Sequence, residues 1–395
     1  NTAGTTPSLA DFVTAGITGV DGNNFAAINS ALNSLPVDGN ATDTKSEVQA
    51  IVNAYNTIKA NADDASATNA TYAQYTAVGV TGIDNTAKAS LLGDVVDTKA
   101  FADVDTVLEL QTLATAAAAV ITGAAAGTAP TKAQLEALGI TGVTDANLSA
   151  IQAAIAATAD DGTGVDTLNE LQAVANTGAT NAANAAAIAA ALSTIAAAAQ
   201  ANNATNTNVP ASVFATAGVT GVDANNVAAI QSALNDTDVQ SGQADTAAKV
   251  QAVVDAYNAI KANADTASTA NATQAQYAAI GVNGIDNAAK TSLLGDVVDT
   301  KAFADVDTVA KVQALADLAA LVINSAGTGT APTKAQLESL GITGVTDANL
   351  SAIQAAIAAT ADDGTGVDTL AELQAVATAG ATNAANAAAA AAALS

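Results

Sequence analysis

The sequence predicts an all-α protein: a tandem, elongated array of six three-helix units, grouped as two 202-residue super-repeats of three units each. Three observations predict it. The pentapeptide starting at Gly16 (Gly-Ile-Thr-Gly-Val) returns in the form Gly-Val-Thr-Gly-Val at Gly218, 202 residues later, and the one at Gly139 returns at Gly341. Residues 90–107 are identical to 292–309, and 138–168 to 340–370. Within each long copy a glycine-containing tag, Gly-[Ile/Val]-x-Gly-[Val/Ile], recurs at Gly16, Gly79 and Gly139, and again at Gly218, Gly281 and Gly341. Between the tags, apolar residues fall at the spacing of one helix face rather than alternating as in a strand. A fixed period of this kind marks a repeat architecture.

The tags divide the chain into units over 1–64, 65–128, 129–202, 203–266, 267–330 and 331–395, with an Ala-rich extension on the third and the sixth. The third unit illustrates the elements in order. Pro130 and Thr131 open a first helix that ends at Leu138, with Leu135 and Leu138 on one face. Gly139 stops it as a glycine just past a helix C-terminus does. Thr144 or Asp145 is expected to cap a second helix carrying Leu148, Ile151 and Ile155. The run Asp160-Asp161-Gly162-Thr163-Gly164 breaks that helix. Thr167 and Glu170 have capping-box spacing, with Val165 before them, and open a third helix through Leu168, Leu171 and Val174. Val48, Ile51, Val52, Tyr55 and Ile58 form an equivalent stripe in the first unit, as do Val250, Val253, Val254, Tyr257 and Ile260 in the fourth. The stretches Asn61 to Asn69, Gly123 to Thr128, Asn202 to Asn208 and Gly327 to Thr330 are read as short linkers. Six units in line would span on the order of 130–150 Å.

Composition restricts the chemistry. The 395 residues include no Cys, Met, His or Trp, and the eleven basic residues are all lysine against 37 acidic ones, for a net charge of −26. There is no imidazole base, no thiolate and no guanidinium clamp. Nucleic acid and anionic membranes are not expected partners, because their phosphates require positive charge. No membrane insertion is expected either: the apolar runs are Ala-rich rather than Leu-rich. The first residues carry no basic and apolar leader, so any signal peptide is expected to lie outside this sequence. Half the residues are hydrophobic, yet aromatics are only 3 %. Alanine buries little area, so small cores are expected to lean on their neighbours.

The succession of helix, Gly-Val-Thr-Gly turn, helix, Val-Asp-Thr and helix resembles the tandem helical repeats of large Gram-negative surface and biofilm adhesins. That resemblance implies an extracellular, cell-surface structural protein. The 202-residue periodicity and the absence of catalytic groups argue against an enzyme and point to the chain itself as partner, either as a homo-oligomer or as continuing tandem repeats. One unit is also similar to the small three-helix albumin-binding modules of Gram-positive surface proteins, from Leu138-Gly139-Ile140-Thr141 to Leu171-Gln172-Ala173-Val174. This likeness implies the three-helix fold and not the ligand. Those modules bind through aromatic and basic residues of the second helix, where this chain has Ala, Ile and Gln.

Candidate sites are few. Asp160, Asp161, Asp362 and Asp363 are the calcium candidates. The EF-hand register fails, because a Gly162 at position 6 puts Ala157, Ala159 and Leu168 where acids are required. A turn with a helix cap is the simpler expectation. Asp94, Asp97, Asp103 and Asp105, with Asp296, Asp299, Asp305 and Asp307, could pair for acid–base work, but no nucleophile accompanies them. Caps and solvated surface are expected instead. Asn40, Asn69, Asn147, Asn203, Asn235, Asn271 and Asn349 stand in glycosylation sequons, and exposed Thr and Ser leave O-linked glycans open. Tyr72, Tyr75, Tyr277, Phe12, Phe25, Phe101, Phe214 and Phe303 are expected in the core or between units. The tract from Ala182 to Gln200, mirrored from Ala384, is read either as a helix covering the next unit or as a docking helix between chains. The competing function is a multivalent array that captures a host or matrix protein, which would show a repeated exposed anchor patch.

Overall fold

The computed structural model describes residues 6–64, 66–125, 127–159, 161–201, 209–265, 270–326, 330–361 and 364–394. Among these residues it contains eighteen α-helices, four short 3₁₀ turns and no strand. The protein is all-α, and it divides into two compact units, 1–185 and 186–395.

Unit 1 contains α1 (Leu9–Thr14), α2 (Phe25–Leu32), α3 (Lys45–Asp63), α4 (Tyr72–Ala77), α5 (Thr86–Val96), α6 (Val107–Ala124), α7 (Lys132–Ala137), α8 (Leu148–Ala156) and the first half of α9 (Leu168–Ala201). Unit 2 begins within α9. It continues with α10 (Ala211–Thr216), α11 (Val227–Leu234), α12 (Ala247–Asp265), α13 (Gln274–Ala279), α14 (Ala288–Asp299), α15 (Val309–Ser325), α16 (Lys334–Ser339), α17 (Leu350–Ala358) and α18 (Leu370–Ala393).

The glycine tag now has a mechanical meaning. In each copy the first glycine is left-handed and follows a six-residue helix after a single C-cap residue. Ile17 N–H then reaches back to the Phe12 carbonyl, and Gly16 N–H to that of Val13. This is the Schellman arrangement, whose accompanying apolar contact joins the residue after the glycine to the helix. Ile17 and Phe12 are both buried, as are Val80 and Tyr75, Ile140 and Leu135, and Val219 and Phe214. The tag's Ile or Val is therefore a staple onto the aromatic or Leu five residues earlier.

The third tag residue is held from a distance. The Gln49 carboxamide accepts from Thr18 N–H at 2.9 Å and donates to the Thr18 carbonyl at 2.9 Å. The same two-bond clamp joins Gln111 to Thr81, Gln172 to Thr141, Gln251 to Thr220, Gln313 to Asn283 and Gln374 to Thr343. Each clamp ties a loop to a helix some 30 residues further on. Gln111→Ala is expected to destabilise unit 1 by about 1–2 kcal/mol, the net worth of two partly exposed hydrogen bonds. Chemical denaturation monitored by circular dichroism checks it, and Gln111→Glu, which keeps only the acceptor, should fall between.

Helix starts follow from local chemistry. Thr44, Thr71, Thr106 and Thr131 all make capping boxes. The second helix of 129–202 begins later than the sequence suggests. Thr144 and Asp145 lie in a turn, and Asn147 occupies the cap position with its Oδ1 accepting from Thr144 N–H at 2.8 Å. Asn61 was expected in a linker but lies within α3, fully buried. Gly123 likewise lies within α6.

The core of each unit is contiguous. In unit 1 it runs from Phe12 to Ala175, and in unit 2 from Ala191 to Ala377. Ala-rich helices with little individual burial merge into one core and so stabilise one another. Polar bonds also cross between segments. Ser30 Oγ accepts from Val107 N–H at 3.0 Å, and Ser232 Oγ from Val309 N–H at 3.0 Å.

Candidate functional site

A polar cluster that joins several segments surrounds the end of α5. Asp94 lies on α5 and Asp97 caps its C-terminus, one turn apart on the same face. The Asn69 amide donates to Asp94 Oδ1 at 3.1 Å, and Leu168 N–H, at the start of α9, donates to Asp94 Oδ2 at 3.0 Å. A carboxylate at a helix N-terminus satisfies an unpaired N–H and meets the positive end of the helix dipole. Asp94 thus caps a helix 74 residues away. The buried Asn61 side chain donates to Asn69 Oδ1 at 3.0 Å and also touches Asp97. Gly93 makes room for Asn69: a Cβ there would lie 2.5 Å from the Asn69 side chain. Burial, and then the charges of Asp94 and Asp64, push the Asp97 carboxyl up to about 6.

Unit 2 repeats the arrangement. Asp296 accepts from Asn271 at 3.1 Å and from Leu370 N–H at 3.0 Å. Burial and Asp296 raise the Asp299 carboxyl above its usual range. Asp296 and Asp299 border a shallow, open depression of about 430 Å³ with Gly341, Leu370 and Gln374.

The remaining acids of the expected cluster are elsewhere. Asp103 ends a 3₁₀ turn, and Asp105 is raised by burial and by Glu109. Asp305 ends the matching turn in unit 2, and Asp307 is paired with Lys311 at 2.7 Å. The helix and the turn separate residues that are neighbours only in sequence.

Of the calcium candidates, Asp160, Asp362 and Asp363 lie outside the described residues. Asp161 is exposed and accepts from Thr163 N–H at 3.0 Å and from its hydroxyl at 2.8 Å, bonds that lower its pKa. That is a turn held by an Asp side chain. Among the described residues no group of three or more acidic side chains is close enough to hold a metal ion.

Several sequon asparagines are already engaged. The Asn69 and Asn271 amides bind carboxylates, and those of Asn147 and Asn349 donate to the Gly142 and Gly344 carbonyls at 2.9 Å. Asn40 is exposed, and Asn203 lies outside the described residues. Tyr75, Tyr277, Phe12 and Phe214 are core residues, whereas Tyr72 is exposed. Phe12 meets Phe25 edge-on, and Phe101 and Phe303 lie under the Lys59 and Lys261 ammonium groups, about 5 Å away.

By length and composition alone, α6 and residues 168–200 of α9 would suffice to cross a membrane, and half of α6 is buried in the core of unit 1. Both windows are Ala-rich rather than Leu-rich, the feature on which the sequence argues against membrane insertion. No protein family, no curated protein and no solved structure matches the chain.

Proposed function

We propose that this chain is an extracellular, non-catalytic structural repeat protein of a bacterial surface fibre, filament or adhesin stalk, built as an elongated tandem array of six three-helix units. The observation that carries this reading is the duplication of its polar machinery. Asp94 to Leu168 and Asp296 to Leu370 are the same bond at the same 3.0 Å, and the six glutamine clamps all serve main-chain atoms. These polar groups, half-buried or exposed, tie helices and loops to one another. An active site is seldom needed twice in one chain, whereas identical spacers are. Continuation of such an array from copy to copy is heterologous and does not close on itself. Its partners are further copies of the repeat, without nucleic acid or membrane insertion, and with glycans possible on exposed Asn, Thr or Ser.

The rival reading, capture of a host protein, calls for an exposed anchor repeated in each copy. Exposed Tyr72 and Leu108 instead have Gln274 and Ala310 as their counterparts. Electron microscopy of the native protein, with and without millimolar Ca²⁺, tests the proposal. Regular fibres or single rods are expected, and a compact globular particle under every condition would refute it.

A further inference from the structure

Five polar residues come together at matching places in the two units. They are Asn61, Asn69, Tyr75, Asp94 and Asp97 in unit 1, and Asn263, Asn271, Tyr277, Asp296 and Asp299, each 202 positions later, in unit 2. Exposed neighbours differ between the copies, with Gln274 in place of Tyr72 and Ala310 in place of Leu108, while these five are the same. Amide bonds link them. Asn263 Nδ2 donates to Asn271 Oδ1 at 3.4 Å, and Asn271 Nδ2 donates to Asp296 Oδ1 at 3.1 Å. Asp299 follows one turn later on the same face of α14. Gly295 keeps the place open, because a Cβ there would overlap the Asn271 side chain.

Several oxygens of the cluster are left unused. Asn61 and Asn263 are fully buried, yet the Oδ1 of neither accepts a hydrogen bond among the described residues. The Asn61 carboxamide touches Asp97, so its free oxygen lies at that carboxylate. Asp299 Oδ1 is buried and equally without a donor, and the buried Tyr75 and Tyr277 hydroxyls have no partner. Burial and then the Asp97 charge raise the Tyr75 hydroxyl, and Asp299 acts on Tyr277 in the same way, which puts each hydroxyl near its carboxylate. Buried acceptors without a donor are costly and rare in a native fold, and they call for a water or an ion.

We propose that Asp94 and Asp97 with Asn61 Oδ1, and Asp296 and Asp299 with Asn263 Oδ1, form two equivalent Ca²⁺ sites, one in each unit. Carboxylate and carboxamide oxygens are the ligands that a hard cation takes. Ca²⁺ accepts about six to eight of them in flexible geometry, whereas Mg²⁺ demands a near-ideal octahedron and sheds its water reluctantly. Asp296 and Asp299 border the shallow depression beside Gly341 and Leu370, so the ion enters from solvent and water completes its shell. The amide oxygens let two acids suffice, which sets these sites apart from the aspartate runs at Asp160 and Asp362. Bound Ca²⁺ would neutralise a carboxylate pair and tie the end of α3 to α5, and the end of α12 to α14. Through the Asp94 and Asp296 bonds to Leu168 and Leu370 it would also reach the starts of α9 and α18.

The test is calorimetric titration of CaCl₂ into the EDTA-stripped full chain. Two saturable sites per chain are expected, with a Kd of roughly 10⁻⁴ M, in the weak range of calcium sites with few charges. At ten- to hundredfold excess over Kd the melting temperature should rise by roughly 3–10 °C, and MgCl₂ at equal ionic strength should not reproduce the rise. Asp97→Asn and Asp299→Asn should each remove one site, and together both, with the melt in EDTA kept or raised because each relieves repulsion between carboxylates. Asp161→Asn, in an exposed turn, should leave both sites intact. Tb³⁺ gives a spectroscopic reading: bound near Tyr75 or Tyr277 it should emit on tyrosine excitation, and Ca²⁺ should displace it. Absence of saturable Ca²⁺ binding overturns the proposal and leaves the free oxygens to water. Binding that persists in the double variant, or that Mg²⁺ matches, overturns it as well, since diffuse attraction to an acidic surface would then account for it. Two saturable sites on a chain that forms neither fibres nor rods would uphold this inference while removing the proposed function.

Discussion

Gly380→Ala is expected to destabilise unit 2 by about 1–3 kcal/mol, although alanine is the better helix former by about 1 kcal/mol. Gly380 lies within α18 where that helix crosses α17. A Cβ there would stand 2.6 Å from Ile353 Cα and 2.8 Å from the Ala352 carbonyl oxygen. These are main-chain atoms of a neighbouring helix, and no rotamer change can move them aside. The helices must separate, and Ile353 and Ile357, both buried, lose contact with α18. Gly178 meets Ile151 Cα in the same way at 2.5 Å in unit 1. For units of about 200 residues each kcal/mol corresponds to roughly 2–4 °C in melting temperature. Scanning calorimetry of Gly178→Ala and Gly380→Ala should show a fall of that order in the unit that carries the change. A rise in melting temperature would mean that helix propensity outweighs the contact and that the helices are not so close.

The second large effect concerns pH. Asp97 has a carboxyl pushed up to about 6, by burial first and by Asp94 and Asp64 next. The native state therefore holds a proton that the unfolded chain has released. Stability from this group is fully present below the ordinary aspartate range and is lost as pH rises through about 6. Unit 1 should accordingly be more stable at pH 5 than at pH 8, with Asp97 responsible for about 1–2 kcal/mol after allowance for solvent screening. Asp299 acts in the same direction in unit 2. Asp64 and Asp84, whose pKa values are lowered by hydrogen bonds, lose their contribution only as pH falls below about 4, outside this window. The decisive comparison is therefore between the wild type and Asp97→Asn. Urea melts from pH 4.5 to 8 should show the variant gaining stability at the alkaline end and losing part of the pH slope. An unchanged slope would show that Asp97 ionises normally in the folded protein.

The helices were legible because their signals are local. The capping box at Thr131, the side-chain cap of Glu170 N–H by Thr167 and the glycine stop at Gly139 act within a few residues, and the apolar stripes of α3 and α12 need only helical spacing. What depends on non-local pairing was not legible. Linear proximity grouped Asp94, Asp97, Asp103 and Asp105, yet the α5 terminus and the following 3₁₀ turn divide them, and the bonding partner of Asp94 is 74 residues away. The linker reading of Asn61 failed because its polarity suggested solvent, while its amide is consumed by Asn69 and Asp97 inside the core. The glutamine clamps left a trace that could have been read: a Gln stands 30 or 31 residues after the third tag residue in all six cases.

Those clamps also bear on how such a chain can diverge. The glutamine grips an N–H and a carbonyl that every residue except proline supplies, so the loop position is almost silent to substitution. Asn283 stands there in one copy where the other five have threonine, and its clamp closes at the same 2.8 Å as that of Thr81. The glutamine has no such latitude: asparagine falls one methylene short, and glutamate lacks the donor. After a duplication, drift can accumulate in the loops while register is inherited through a single codon thirty positions downstream. Copies can thereby lose resemblance to one another, and to anything else, faster than they lose the fold.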